Sequence, residues 1–161
     1  MVTRERRPIE PVMPWRAGGL VVVAILAGWL GAGVAGATGP EGAPPDRHRV
    51  VMHLNSGDEK AQRGALNNIR HLYQELGRER LAVELVAHGA GLTLLTKRDS
   101  KLAGEVAQLK TSYGVEFTAC SNTMKAMNLT RDDLVGQVDR TVPAMVRLME
   151  LQEQGWAYIK P

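Results

Sequence analysis

The spacing of apolar positions changes several times along this chain, and each change marks an element. Arg49 to Leu54 (RVVMHL) has the apolar profile of a buried strand and runs into a polar turn, Asn55-Ser56-Gly57-Asp58. From Glu59 to Leu76 the apolar residues Ala61, Ala65, Ile69, Leu72 and Leu76 recur at three- and four-residue spacing, which predicts a helix stopped by Gly77. A second buried strand is expected over Ala82 to Ala87, followed by the glycine-rich turn His88-Gly89-Ala90-Gly91 and one helical turn over Leu92 to Leu95. The pattern then repeats, with a helix from about Ser100 to Tyr113, a strand from Val115 to Ala119 and a helix starting at Ser121 that stops before Asn128.

Thr130-Arg131-Asp132-Asp133 has the look of a capped helical turn, and Val138 to Thr141 suits a fourth strand. Pro143 fits the first turn of a helix carrying Met145, Leu148, Met149 and Leu151 along one face. Gly155 ends that helix, and Trp156 to Lys160 (WAYIK) forms the last strand. Strands alternating with helices at this spacing predict an α/β fold: one three-layer domain with a mostly parallel sheet covered on both faces. The methionines of the last helix belong to the core or to a subunit interface rather than to a copper-binding stripe.

The front of the chain differs. Ala17 to Ala37 carries no charge and follows Arg4, Arg6, Arg7 and Arg16, the layout of an export signal or a membrane anchor. Ala35-Gly36-Ala37 offers small residues for a signal peptidase, so cleavage after Ala37 gives a periplasmic protein. Retention would instead leave residues 1–37 as an inner-membrane anchor with the domain outside the cytoplasm. The Arg6-Arg7 pair is followed by Pro8 and lies far from the apolar run, which favours general secretion over a twin-arginine route. Residues 38–47, rich in Gly, Pro and Ala, form a linker, and the domain spans 48–161.

Removing residues 1–37 takes away four Arg and two Glu and leaves 16 Lys and Arg against 15 Asp and Glu. A nearly neutral domain gives no reason to expect nucleic acid as a partner.

Cys120 is the only cysteine, so no internal disulfide can form, although the expected compartment would permit one. It is a free thiol, an intermolecular bridge, a carrier, a ligand or a small buried hydrophobe. Its place between a strand and a helix start puts the sulfur where a thiolate forms most easily. In a parallel sheet the carboxyl ends of the strands share one edge, and ligands bind there. That edge receives His53-Leu54-Asn55, His88-Gly89 and Cys120-Ser121-Asn122, although the two histidines are 35 residues apart and Cys120 lies 32 beyond His88.

Each companion also has a plainer role. His53 lies inside its strand and suits a core histidine bonded to backbone, and His88 suits a turn residue half open to solvent. Asn67-Asn68 is an unusual pair for a helix, with one of the two expected to hydrogen-bond loop backbone. His-Gly-Ala-Gly matches neither a dinucleotide fingerprint nor a P-loop, and no cofactor is expected. Paired rim carboxylates, a nucleophile elbow and a closed structural zinc site are all missing, so no metal is assigned, while His53, His88 and Cys120 have the ligand softness for mononuclear copper or zinc.

Five blocks carry a family resemblance: RVVMHLNSGD, GALNNIRHLYQELG, VELVAHGAGL, VEFTACSNTMKAMNL and LMELQEQGWAYIKP. Together they resemble the DsrE/DsrF-like superfamily, in particular its small single-domain branch with exported members, over essentially all of 48–161. The resemblance implies a roughly five-stranded parallel sheet between helices and assembly into trimers or hexamers. It also implies, for some members, a sulfur relay in which the cysteine after the third strand carries a persulfide, exchanged with donor and acceptor proteins. Cys120 occupies that position, and His53, Asn55, His88 and Asn122 would shape its pocket. The expected function is that of an exported sulfur carrier rather than a stand-alone catalyst, the alternatives being a metal- or small-ligand-binding module and a structural oligomeric subunit.

Overall fold

A computed structural model describes residues 47–161; the expected export segment and all but the last residue of the expected linker lie outside the described residues. Strand β1 (His48–Leu54) leads into helix α1 (Glu59–Leu76), β2 (Leu81–Ala87), a 3-10 segment Gly89–Leu95 and helix α2 (Ala103–Tyr113). There follow β3 (Glu116–Cys120), the short helix α3 (Ser121–Ala126), β4 (Arg140–Val142), helix α4 (Ala144–Glu153) and β5 (Ala157–Ile159). The strands form one sheet in the order β4-β3-β2-β1-β5, and every neighbouring pair is parallel.

Local chemistry sets most boundaries. Asp58 caps α1 by accepting the Ala61 N–H at 2.8 Å, and Ala65, Leu66, Ile69 and Tyr73 recur on the face that packs into the core. Gly114 takes a left-handed φ of +74° and ends α2. The chain from Thr96 to Ser100 is instead a turn, in which Ser100 N–H donates to Thr96 O and Asp99 Oδ2 accepts from the Thr96 hydroxyl. For that reason α2 starts at Ala103 and not near Ser100 as the spacing predicts. Pro143 holds an extended ψ of 117° and precedes α4 rather than lying in its first turn.

Strand order explains which face each helix covers. The first three crossovers all move the chain the same way across the sheet, and right-handed connections keep α1 and α2 on one face. The return from β4 to β5 runs the opposite way and lays α4 on the other face. The α1/α2 face holds the main core, with Met52, Leu85, Phe117, Leu66, Ile69 and Leu109 fully buried. On the α4 face a small cluster joins Val51, Val86 and Cys120 of the sheet to Ala144, Leu148 and Leu151. Both faces are covered, but unequally.

That asymmetry corrects the reading of the last helix. Leu148 and Leu151 pack on the sheet, whereas Met145 and Met149 are 56% and 52% exposed, so the four residues do not share one face and the methionines are not core. Asn67 also departs from expectation: its side chain accepts from Arg70 rather than bonding loop backbone, and Asn68 is exposed.

Candidate functional site

Register brings the predicted rim together. His53 pairs with Val86, Ala87 with Ala119 and Cys120 with Val142, so one step past Ala87 sets His88 beside Cys120 at the carboxyl edge. Side chains alternate between faces along a strand, and His53, His88 and Cys120 all fall on the α4 face. Of the predicted residues, His53 and His88 meet directly. Asn55 and Asn122 sit on the same rim with exposed side chains.

Cys120 is 5% exposed and packs against Ala144 and Leu148. Burial alone would push its thiol up, but the Thr123 hydroxyl and the N–H groups of Ala144, Thr123 and Asn122 outweigh it and hold the thiol below its ordinary value. α3 is only six residues long, so nearby N–H groups at the starts of α3 and α4, rather than a long helix dipole, favour the thiolate. Asn122 thus contributes through its backbone. Thr123 Oγ1 also accepts the Gly89 N–H at 2.9 Å, which ties the glycine turn to the cysteine loop and leaves the hydroxyl proton free for the sulfur.

The glycine turn has a steric reason. A Cβ on Gly91 would lie 2.5 Å from the Leu54 carbonyl oxygen and 2.9 Å from the Asn55 Cα, so only glycine lets this turn close over the end of β1. His88 N–H meanwhile donates to Leu54 O at 3.0 Å, continuing the ladder by one bond.

The rings of His53 and His88 meet end to end, 21° from parallel with centroids 4.7 Å apart, and their Nε2 atoms are 2.6 Å apart. One proton must lie between those nitrogens. His53 Nδ1 in turn bonds the Tyr158 hydroxyl at 2.5 Å. The expectation of a His53 bonded to backbone therefore gives way to a side-chain chain, Tyr158–His53–His88. Burial first, then His88 and Lys160, lower the pKa of His53; burial first, then Lys160, lower that of His88. Both rings therefore bind a proton less readily than a free imidazole. Among the described residues no three His, Cys, Asp or Glu side chains are grouped to hold a metal ion, and the two imidazoles spend their facing nitrogens on each other.

Two neighbours of the candidate site are not evident from the sequence. Tyr158 pairs with Val51 and so shares the face of His53, a relation that the alternation within WAYIK carries once β5 is placed next to β1. Glu84, inside the apolar run AVELVA, is fully buried on the same face. Its carboxylate accepts from Thr118 Oγ1 at 2.6 Å, from Arg140 at 2.8 Å and from both ends of the Arg147 fork at 2.9 and 2.7 Å. Burial pushes the Glu84 carboxyl up, but the bonds from Arg147 and Thr118 and the charges of both arginines outweigh it and hold it below the usual range. A lone acid in a strand does not reveal its arginines, which lie 56 and 63 residues away.

No curated protein matches the chain. Among solved structures it is similar to a protein of unknown function, MTH1491, from Methanobacterium thermoautotrophicum. The identity is 36% and the TM-score 0.65, covering 71% of this chain and 99% of that one. It is also similar to the ychN protein from E. coli at 11% identity and a TM-score of 0.59, over 71% and 99% of the two chains, a likeness of fold alone. Residues 49–161 match the model of the DsrE/DsrF-like family, with its five-stranded parallel α/β sheet, and the chain belongs to that family.

Proposed function

We propose that this protein is an exported sulfur carrier in which Cys120 holds a sulfane sulfur as a persulfide. Membership of a sulfur-relay type of family supports the reading in general terms. The observation that carries it to a residue is the cysteine's place: the only thiol of the chain ends β3 at the carboxyl edge of the sheet, next to His88 by register, with its pKa held below the ordinary value. In the loading step the Cys120 thiolate attacks the outer sulfur of a donor persulfide. The donor's S–S bond breaks, a new S–S bond forms on Cys120 and the donor leaves as its thiolate, with no net oxidation. Delivery is the reverse step toward an acceptor thiolate.

The N-terminal apolar segment supports export, with the domain outside the cytoplasm. The exposed side chains Met145, Val146, Met149 and Tyr158, which border one another on α4 and β5, support assembly into a homo-oligomer. That same patch favours the alternative of a non-catalytic oligomeric module. The histidines add little to a metal-binding version of it, because their Nε2 atoms bond each other.

Intact-mass analysis after exposure to a low-molecular-weight alkyl persulfide tests the carrier. One added sulfur on the wild type and none on Cys120→Ser is the expected result, and equal loading of both would refute it.

A further inference from the structure

We propose that Tyr158, His53 and His88 form a proton wire that carries a proton from the rim beside Cys120 to solvent at Tyr158, an inference that rests on the carrier reading. Four observations support it. The chain is continuous, at 2.5 Å from Tyr158 Oη to His53 Nδ1 and 2.6 Å from His53 Nε2 to His88 Nε2. Its middle member, His53, is 8% exposed, its entry end, His88, is partly exposed, and its far end, Tyr158, is 41% exposed, so the relay passes through a buried residue to an open one. His88 Nδ1 makes no hydrogen bond among the described residues, and register sets His88 beside Cys120 on the α4 face. The two rings lie 21° from parallel, so an N–H in the plane of one is aimed at the nitrogen of the other.

The wire has two neutral states. In the first, His88 Nε2–H donates to His53 Nε2, His53 Nδ1–H donates to the Tyr158 oxygen, and His88 Nδ1 is a bare base. In the second, Tyr158 O–H donates to His53 Nδ1, His53 Nε2–H donates to His88 Nε2, and His88 Nδ1 carries a proton. In the passage from the first to the second, a proton given up by Cys120 at the rim arrives at His88 Nδ1, one proton moves along each bond and the original phenol proton is released to water. Every atom balances, and neither imidazole is left charged. That matters because charging the buried His53 is opposed by burial, by His88 and by Lys160. The charged and titratable groups facing the wire are Lys160, which follows Ile159 and falls next to His53 by register, and Glu153 of α4, which lines the hollow between α4 and β5 with His53 and Tyr158. β3 contributes Cys120. His53 and Tyr158 are positioning residues that act through His88.

The test is the rate at which the full-length protein loads sulfur from an alkyl persulfide, measured at pH 7, above the ordinary imidazole value, and at pH 9. Tyr158→Phe and His88→Asn should slow loading about a hundredfold at pH 7, the low end of the range for acid–base assistance. At pH 9, where the thiolate needs no base, both should match the wild type. Equal loss at both values, or none at either, overturns the wire, since a merely structural role would not depend on pH. If wild-type Cys120 loads at no pH, the carrier reading fails and the wire is judged on imidazole nitrogen NMR. Tyr158→Phe must then change the protonation of His88 Nδ1, two hydrogen bonds away, and unchanged His88 resonances overturn the wire.

Discussion

The two faces of this sheet solve different problems. The α1/α2 face is mostly apolar: Met52, Leu85 and Phe117 meet Leu66, Ile69 and Leu109 with no access to water, Gln62 of α1 is buried at its edge and bonds Thr93, and this face supplies the bulk of the burial. The α4 face is covered by one ten-residue helix and mixes a small apolar cluster with a buried carboxylate, two arginines, a histidine pair and the only thiol. Polar groups need partners when buried, so each on this face has a stated one, and the helix is clamped through Arg147 rather than by area. One face gives stability, and the other uses part of it to hold reactive groups in fixed positions.

The contrast can be broken from either side. Phe117→Ala on the apolar face should cost the most, about 3–5 kcal/mol by chemical denaturation, while leaving the pH dependence of thiol reactivity unchanged in the molecules that remain folded. Glu84→Ala should cost less, about 2–3 kcal/mol. Removing one partner of a buried ion pair costs more when both are deeply buried, and here the arginine side chains keep 20% and 32% of their exposure. Its second effect separates the faces: Arg147 loses its anchor, α4 loosens, and the Ala144 N–H no longer holds Cys120, so thiol reactivity should move to higher pH.

A smaller effect concerns acid. His53 and His88 have folded-state pKa values below the ordinary 6.5, so the unfolded chain binds protons more readily. Their contribution is complete above pH 6.5 and is lost as pH falls through the folded values. Glu84, also depressed, adds a further loss below the usual carboxylate range. Melting temperature should therefore fall on acidification in two stages, and His53→Gln should flatten the first. A melting curve that rises from pH 6.5 to 5 would contradict the assignment.

How much of this was legible in the sequence divides along the same line. Long periodic segments place β1, α1, β2, α2 and β3 within a few residues, because the apolar face is patterned by burial alone. The convergence of His53, His88 and Cys120 on one edge also follows from topology once the strands are parallel. What the sequence hides is pairing across the sheet. Tyr158 reaches His53 only because β5 returns to the far side of β1, and Glu84 is buried only because Arg140 and Arg147 arrive from β4 and α4. The exposure of Met145 and Met149 was equally hidden, since their spacing fits two helix faces and only the docking of Leu148 and Leu151 selects one.

On the carrier reading Cys120 is a poised thiol rather than a filler of the small cluster under α4. Its alkylation rate in the folded protein, followed by mass spectrometry from pH 5 to 10, tests that most directly. An inflection clearly below about 8.5, the ordinary value of a free cysteine, is the predicted result. A thiol that reacts only after unfolding, or titrates above that value, would contradict the account.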